Sequence, residues 1–419
     1  MSIESTFCNI PWKEVHINAD GTYHSCGAQP NRISNTEEAK HYNVFNMSID
    51  QWINSKHQCE ARIKKLNGIS EPLCAMCYRE ESLGNSSKRL RENLKSKIGT
   101  DFLNDYHNSS DVSFFEYSRK NNGLISDLRP DSYHISLGNE CNLACRMCGP
   151  TYSSRIAAEA IQLGTFTGPA RQNWTENQQA WNQTVDYICN TTDLKSVHLV
   201  GGEPLMTPRF EELIDQLILS KKTDIYLGFT TNGTIFNNDL INKLNKFRHI
   251  DIGISVECMG PLNNLIRRGS KIDDVLSIIE LYLKYRKPGH IYVTLRTVPS
   301  ALSIHTLDEL YKWAISKELD VMTNILTGPE YLQIGQLPKS IKERLLKKYQ
   351  SWEFSSTNEF EINSRNPSKY KEHIDNEIKT IIKALNQDPL NNLTEELYDK
   401  LELWGWFEIP EIRNYFFEI

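Results

Sequence analysis

Three closely spaced cysteines are the feature of this chain with the clearest chemical potential. Cys141, Cys145 and Cys148 form the pattern C-x3-C-x2-C directly after a run that is typical of a β-strand. Three thiolates on one short loop can hold three irons of a [4Fe–4S] cluster, and the fourth iron is then open to a small chelating molecule. Zinc is the alternative, but zinc prefers four N or S ligands, and no histidine follows at a finger-like spacing.

A glycine-rich motif follows the next predicted strand and reads Val200-Gly201-Gly202-Glu203-Pro204. Two glycines allow the backbone to come close to a ligand. The carboxylate of Glu203 can hold an ammonium group by charge-assisted hydrogen bonds. The alternative is an ordinary strand-to-helix turn, and this motif alone would favour that alternative.

In this order, the two motifs resemble those of the radical S-adenosylmethionine (radical SAM) superfamily over residues 133–326. The resemblance implies that the three cysteines hold a [4Fe–4S] cluster whose open iron is chelated by S-adenosylmethionine. It also implies that Gly201, Gly202 and Glu203 contact the amino group of that cofactor. Pro204 is the last residue of this cofactor-binding motif. An electron, supplied by a reductant such as flavodoxin or ferredoxin, would produce methionine and a 5′-deoxyadenosyl radical that abstracts hydrogen from the substrate.

Other positions are expected to contact the cofactor because of where they lie in the resemblance. Met147 occupies the position before the third cysteine, which is usually aromatic in the superfamily, and its soft side chain can pack on adenine. Ser255 and Glu257 share one face of the fourth strand, where similar proteins bind the ribose hydroxyls. Thr231 and Asn232 form the polar end of the third strand, although a plain Asn-Gly turn is the alternative.

Two further pairs complete the expected cofactor site. Arg267 or Arg268 would pair a carboxylate, with a surface charge as the alternative for each. Val298 and Leu326 would form an apolar wall for adenine, with simple core packing as the alternative. Cys258, which follows Glu257, is the candidate catalytic residue: its thiol could return a hydrogen atom to a substrate radical, although such a cysteine is more often inert packing.

A second cysteine set precedes the first in the chain. Cys8 and Cys26 fit the pattern C-x12-G-x4-C, and Cys74 and Cys77 form a C-x2-C pair. Four such ligands suit a closed zinc site or a fully ligated [4Fe–4S] cluster equally well. The first half resembles the auxiliary-cluster module called the twitch domain, a shortened relative of the SPASM domain, which usually follows the barrel. Cys59 is a possible substitute ligand.

Strand and helix patterns predict an α/β fold. Six strands, near 133–138, 195–200, 224–230, 250–257, 290–298 and 319–326, alternate with amphipathic helices, which indicates a parallel sheet. The resemblance makes this a partial (β/α)6 barrel, whose chemistry lies at the carboxyl ends of the strands. The predicted segments are a twitch-like auxiliary domain (1–85), a connecting segment (86–131), the radical SAM barrel (132–330) and a helical C-terminal extension (331–419).

Composition narrows the function classes. The chain has 419 residues and a formal charge of −6, which argues against binding of nucleic-acid backbones. It has neither a run of about 18 apolar residues nor a basic, apolar signal sequence at its start. We therefore expect no membrane partner and a cytoplasmic protein whose ten cysteines stay reduced or bind metal.

The leading hypothesis is a radical SAM oxidoreductase or isomerase. It would oxidise or epimerise a small polar metabolite or a peptide, with S-adenosyl-L-methionine and two [4Fe–4S] clusters as cofactors. The second hypothesis is radical modification of a nucleotide or a nucleic-acid base. The third is a zinc-binding interaction protein with a non-catalytic barrel, which would be colourless rather than brown.

Overall fold

The structure of the protein is a computed structural model. It describes residues 3–27, 41–82, 86–95, 112–125, 130–287, 289–326, 328–353, 370–389 and 391–417. Parts of three predicted segments lie outside the described residues: 28–40 of the N-terminal segment, most of 96–129 in the connecting segment, and 354–369 of the C-terminal extension. Every cysteine of the chain is described, and all ten are free thiols. Disulfide pairing of either cysteine set is therefore absent.

The fold is α/β, with a mostly parallel eight-stranded sheet in the order β10-β9-β7-β6-β5-β3-β1-β2. All six strands predicted for the barrel are present within a few residues of their expected bounds, as β3, β5, β6, β7, β9 and β10. A separate antiparallel pair joins β4 to β8. The strands are β1 (Glu14–Ile17), β2 (Tyr23–His24), β3 (Ser132–Ser136), β4 (Ala144–Cys145), β5 (Ser196–Val200), β6 (Tyr226–Thr231), β7 (His249–Ser255), β8 (Arg267–Arg268), β9 (Ile291–Thr297) and β10 (Asp320–Thr323).

Helices precede the first parallel strands, alternate with the later ones and follow the last. In the N-terminal part they are α1 (Ile3–Thr6), α2 (Ile10–Lys13), α3 (Ile49–Ile53), α4 (Lys56–Leu66), α5 (Ala75–Ser82), α6 (Lys88–Lys95) and α7 (Val112–Lys120). The remainder are α8 (Ser154–Gln162), α9 (Gln178–Cys189), α10 (Pro208–Leu219), α11 (Asn238–Leu244), α12 (Leu262–Ile266), α13 (Ile272–Lys284), α14 (Leu307–Ser316), α15 (Lys339–Gln350), α16 (Tyr370–Leu385), α17 (Thr394–Leu403) and α18 (Pro410–Phe417).

The chain divides into two compact units. The first comprises Met1–Glu140, Arg171–Leu227 and Lys246–Arg248, and the second comprises Cys141–Ala170, Gly228–Asn245 and His249–Ile419. The boundaries of these two units differ from those of the four segments expected from the sequence. The four segments remain a prediction. None of the described helices is both long enough and apolar enough to cross a membrane.

Alternating apolar residues form the strands of the second unit. In β7, Ile250, Ile252 and Ile254 have no exposed surface, because every second residue of a strand points to the same face of the sheet. Asp251 and Gly253 lie on the opposite face. Burial of the isoleucines against the neighbouring helices holds the strand in a register that places its polar residues together.

Alternating residues around Ala19-Asp20-Gly21 predict a hairpin over residues 16–26. The structure confirms it, with β1 and β2 joined by a turn in which Gly21 has a φ of +84°. This left-handed conformation favours glycine. The hairpin is not separate from the parallel sheet, because β1 pairs in parallel with β3 along its whole length. Val15 and Ile17 are fully buried there, and an apolar strand face of this kind gains stability by joining a larger sheet.

The amphipathic pattern over residues 263–285 predicts one helix, but the structure forms two. The interruption consists of β8 and Gly269, whose φ is +98°. The backbone of Arg267 and Arg268 pairs with the three-cysteine loop instead of continuing the helix. This break lies beside the cysteines and therefore bears on the site.

The C-terminal stretch 403–417 contains six aromatic residues, for which the sequence predicts core packing, and three of them are buried. Tyr415 stacks on His305 with ring centroids 3.9 Å apart, and Phe416 packs edge-on against Tyr398. Trp406 is also buried, whereas Phe417 is half exposed.

Candidate functional site

The three-cysteine loop of the second unit is held along its backbone. Cys145 pairs with Arg267, and Ala144 pairs with Arg268, in the short antiparallel β4–β8 ladder. The hydroxyl of Ser153 donates to the carbonyl of Leu143 at 2.9 Å, which ties the loop to the start of α8. The loop therefore has a defined shape even though it contains little regular secondary structure.

Donor groups point at the sulfurs of this loop. The backbone N–H of Leu143 donates to Cys141 Sγ at 3.4 Å, and Asn232 Nδ2 lies 3.8 Å from the same sulfur. Asn232 also donates to Asn142 Oδ1 at 2.7 Å, so the end of β6 positions the loop. Hydrogen bonds to sulfur stabilise thiolate ligands and are a means of tuning a cluster.

The remaining two thiols of the loop are in contact. A hydrogen bond with Cys148 lowers the pKa of Cys145 to about 7, burial opposes this shift, and the charge of Arg267 supports it. The same contact and burial raise the pKa of Cys148.

Arg267 is the cation of this loop, and Glu257 holds it. The Arg267 guanidinium donates from Nη1 to Glu257 Oε1 at 2.9 Å, and both side chains are more than nine-tenths buried. Burial lowers the pKa of Arg267, but Cys145 and Glu257 raise it above its ordinary value. Arg267 Nε is buried and has no hydrogen-bond partner. This donor is available to an anionic group at the loop.

Glu257 uses both of its oxygens within the protein. Oε1 accepts from Arg267, and Oε2 accepts from the backbone N–H of Val298 at 2.8 Å. The carboxylate thus fixes the arginine and the end of β9. The ribose contact expected for Glu257 stays a prediction.

Arg268 has a different environment. Its Nε donates to the carbonyl of Ala144 at 3.0 Å, and its guanidinium pairs with Glu159 of α8 at 2.7 Å. The two candidate arginines are thereby distinguished, because Arg268 ties the loop backbone to α8 whereas Arg267 lies beside the thiols.

The Gly201-Gly202 backbone of the first unit packs tightly against the residues just before Cys141. A Cβ atom on Gly202 would lie 1.9 Å from the carbonyl oxygen of Glu140, and one on Gly201 would lie 2.4 Å from that of Gly138. The backbone N–H of Glu203 donates to the Glu140 carbonyl at 2.7 Å. Larger residues are excluded here, as a closely approached backbone requires.

The Glu203 carboxylate is buried and caps the single turn Pro204–Met206. Its Oε1 accepts from the backbone N–H of Leu205 at 3.2 Å. In this position, Glu203 orients the motif, and its expected contact with an ammonium group remains a prediction.

The other candidate residues take a range of environments. Thr231 is buried and accepts from the backbone N–H of Gly233 through its hydroxyl. Met147, Ser255 and Val298 are half-buried, and Leu326 is buried. Cys258 has no exposed surface, and burial raises the pKa of its thiol. A hydrogen-donor role for Cys258 stays a prediction, for which the thiol would have to become accessible.

A polar group formed by side chains of β7 and β9 was not predicted from the sequence. Arg296 Nη2 donates to Asp251 Oδ2 at 3.0 Å, and the Thr294 hydroxyl lies 3.1 Å from Asp251 Oδ1. A Cβ on Gly253 would approach Arg296 Nε to 2.8 Å, so this glycine leaves room for the arginine. The alternation of β7 placed Asp251 on the same face as Ser255, and that signal could have identified it.

The four N-terminal cysteines of the first unit come together from three segments. Burial raises the pKa of the Cys8 thiol, and Cys26 and Cys74 lie close enough to raise it further. Cys77 is buried one helical turn from Cys74, which also affects its pKa after the larger effect of burial. Cys59 lies elsewhere on α4 and donates to the carbonyl of Asn54 at 3.6 Å.

Three cations surround these four thiols, and each has a carboxylate partner. Lys65 Nζ lies 2.8 Å from Cys74 Sγ and 3.2 Å from Glu71 Oε2. Lys88 donates to Glu14 at 2.7 Å and interacts with Cys26. Arg89 is the third cation: its guanidinium donates to Glu81, and its charge interacts with Cys8. Sequence reasoning missed all three, because only the tertiary structure places them near the cysteines.

A row of histidines crosses the same unit. His24, His16, His134 and His198 occupy matching register positions on β2, β1, β3 and β5. The His16 and His134 rings stack with centroids 4.6 Å apart, and the His134 and His198 centroids are 5.1 Å apart. Burial lowers the pKa of His16 to about 4 and that of His24 to about 3, so both are neutral at pH 7.

The surroundings of both cysteine sets suit thiolates. Among the described residues, no three Cys, His, Asp or Glu side chains are arranged to hold one metal ion. A [4Fe–4S] cluster takes one thiolate at each liganded iron. At the loop, sulfur-directed donors and the buried Arg267 suit anionic thiolates. In the N-terminal set, the buried cations serve the same purpose.

Comparison with known proteins supports this interpretation of the loop. Residues 135–314 match the Radical SAM superfamily. The tungsten-containing aldehyde ferredoxin oxidoreductase cofactor-modifying protein of Pyrococcus furiosus is 21% identical over 199 residues, which cover 45% of this chain and 49% of that protein. The GTP 3′,8-cyclase of Synechocystis is 29% identical over 128 residues, which cover 30% of this chain and 33% of the relative.

Solved structures give a weaker likeness. The structure of native anSMEcpe with bound AdoMet is 20% identical to this chain and has a TM-score of 0.41. The match covers 53% of this chain and 60% of the anSMEcpe chain. The chain spans half or less of the length of the curated relatives it matches. The similarity to the Radical SAM superfamily thus covers residues 135–314, which include the three-cysteine loop.

Proposed function

We propose that this protein is a radical SAM enzyme that acts on a small polar metabolite or a peptide and oxidises or epimerises it. One observation carries the proposal: the three-cysteine loop has N–H donors directed at Cys141 and a buried arginine, Arg267, beside Cys145. A cation beside a cysteine favours the thiolate form, which is the form that binds a metal.

Cys141, Cys145 and Cys148 would hold a [4Fe–4S] cluster. When bound, this cluster and S-adenosylmethionine supply the 5′-deoxyadenosyl radical that abstracts hydrogen from the substrate. Arg267 offsets the thiolate charge, and Glu257 keeps its guanidinium in place. Asn232 orients the loop through Asn142. The chain thus positions and shields, while the cofactor carries the difficult chemistry.

The glycine motif would accept the amino acid part of the cofactor. Gly201 and Gly202 bring the backbone close, and the hydrogen bond that Glu203 accepts from the backbone N–H of Leu205 orients its carboxylate. A carboxylate oriented in this way can accept from an ammonium group. The buried Nε of Arg267 is suited to a carboxylate.

We also propose that Cys8, Cys26, Cys74 and Cys77 hold an auxiliary [4Fe–4S] cluster. The support is that each of three buried or half-buried cations acts on one of these thiols. A metal ion deprotonates the thiols that bind it, and the cations then compensate the negative charge that results. With two such clusters the protein would be brown, with about eight irons per chain.

The polar group formed by Asp251, Thr294 and Arg296 favours a substrate that carries charged or hydrogen-bonding groups. Of these residues, Arg296 lies near the carboxyl end of β9, the end at which parallel α/β folds place their chemistry. Similarity to a GTP 3′,8-cyclase makes a nucleotide substrate the second candidate. Flavodoxin or ferredoxin is the expected class of reductant.

The test is anaerobic reconstitution of the full chain with iron and sulfide, followed by addition of reductant and S-adenosylmethionine. We expect 5′-deoxyadenosine from the protein and none from the Cys145→Ala variant. Deuterium transfer from candidate peptides, polar metabolites and nucleotides into 5′-deoxyadenosine would then identify the substrate class. A colourless protein that binds zinc and forms no 5′-deoxyadenosine with any candidate substrate would overturn the proposal.

A further inference from the structure

Lys65 is the most deeply buried of the cations near the N-terminal cysteines. Its side chain is 2% exposed, and its Nζ lies 2.8 Å from Cys74 Sγ and 3.2 Å from Glu71 Oε2. The carboxylate of Glu71 offsets the loss of hydration of this buried ammonium group.

A neighbouring residue shows how unusual this burial is. Lys64 also pairs with Glu71, through Oε1 at 3.5 Å, but its side chain is 43% exposed. One carboxylate is therefore shared by an exposed and a buried lysine. Because a buried ammonium needs close negative partners to offset its loss of hydration, the thiol of Cys74 is the partner that distinguishes Lys65 from Lys64.

We propose that Lys65 tunes the reduction potential of the auxiliary cluster and makes it more positive. This inference rests on the proposed cluster at Cys8, Cys26, Cys74 and Cys77. Reduction adds a negative charge to a cluster, and a fixed positive charge within hydrogen-bond distance of one ligand sulfur stabilises the reduced form. Net charge and hydrogen bonds to sulfur are established determinants of cluster potentials. A more positive potential suits a cluster that accepts electrons and thus favours oxidation over epimerisation.

The experiment uses the full chain with Cys141, Cys145 and Cys148 replaced by alanine, so that only the auxiliary cluster remains. In this background, the midpoint potential is measured by electron paramagnetic resonance in poised samples. Lys65→Met removes the charge and keeps the length of the side chain. Lys64→Met is the matched control, because it removes an adjacent charge that pairs with the same carboxylate but is exposed to solvent.

We expect Lys65→Met to shift the midpoint potential to more negative values and Lys64→Met to leave it unchanged. Equal potentials in Lys65→Met and the background protein would overturn the inference, as would equal shifts in both variants. If Lys65→Met does not retain iron, Lys65→Arg decides: a cluster retained in Lys65→Arg supports the role of charge, and loss of iron in both contradicts it.

Failure of the proposed cluster has a separate signature. A background protein that binds no iron, while the unsubstituted chain binds about four irons and forms 5′-deoxyadenosine, would contradict the auxiliary cluster and the role of Lys65 together. A background protein that binds iron but has a potential insensitive to Lys65 would contradict only the latter.

Discussion

The two cysteine sets solve the same chemical problem in different ways. The loop set takes three thiols from one short stretch after β3 and has a single cation, Arg267, beside them. The N-terminal set takes four thiols from distant segments and has three cations around them. Under the proposed function, three thiolates would leave one iron of the loop cluster open to a ligand, whereas four thiolates would close the N-terminal cluster.

Substitution of one cysteine in each set should have the largest effects and should show most clearly whether the two sets differ in role. Cys145→Ala should abolish 5′-deoxyadenosine formation, because it removes a ligand of the open cluster. Cys77→Ala should lower the iron content from about eight to about four per chain and still allow 5′-deoxyadenosine to form. Iron analysis and chromatography of the product provide the measurement. Equal loss of product in both variants would show that the two sets do not differ in role.

Arg267, the cation of the loop, is paired with the carboxylate of Glu257. Removal of this carboxylate should have the next largest effect. Glu257→Gln would leave Arg267 buried without its charged partner and should reduce the free energy of unfolding by about 3 kcal/mol. The exposed pair Arg248–Asp224 is the control, and Asp224→Asn should change it by less than about 1 kcal/mol. Urea unfolding measures both. A similar small change for the two variants would mean that Arg267 is compensated elsewhere.

The histidine row of the first unit should give that unit a distinctive pH dependence. Burial lowers the pKa of His16 to about 4, and the unfolded chain has an ordinary value near 6.5. The unfolded state therefore binds more protons between these values, so stability is complete above about pH 6.5 and is lost as the pH falls toward 4. Glu14 opposes this shift, whereas Lys88 and His198 support it.

A variant isolates the contribution of His16. His16→Gln cannot titrate, so its unfolding free energy should fall less steeply between pH 6.5 and pH 4 than that of the unsubstituted chain, with a difference of a few kcal/mol over the window, on the order of 1.4 kcal/mol for each pKa unit. Parallel curves for the two proteins would contradict the assignment.

The smallest expected effect concerns the contact between Arg146 of the three-cysteine loop and Trp404. The Arg146 guanidinium lies 4.1 Å from the ring centroid of Trp404, a cation–π contact worth about 1 kcal/mol. Trp404→Ala should therefore accelerate removal of iron by a chelator from the loop cluster only a few-fold. Leu403→Ala, at a neighbouring residue that is 76% exposed, is the control. Identical rates in the two variants would show that Trp404 does not protect the loop.

The strands and the loop cysteines could be predicted from the sequence because their signals are local. Alternating isoleucines mark β7, and the spacing of Cys141, Cys145 and Cys148 lies within a single turn region. The prediction of one helix over 263–285 was wrong, because the β4–β8 pairing competes with helix formation and no local signal reveals a partner more than a hundred residues away.

By itself, the sequence determined which residue types are present and which short segments they occupy: a three-thiolate loop, a glycine turn and six apolar strands. Only the tertiary structure decided which charges lie beside the sulfurs, how Glu257 divides its oxygens between Arg267 and Val298, and that four histidines align across four strands. The physical reason is that charge compensation and strand register depend on distances in space. Those distances are set by the burial of apolar faces over the whole unit, and no spacing along the chain records them.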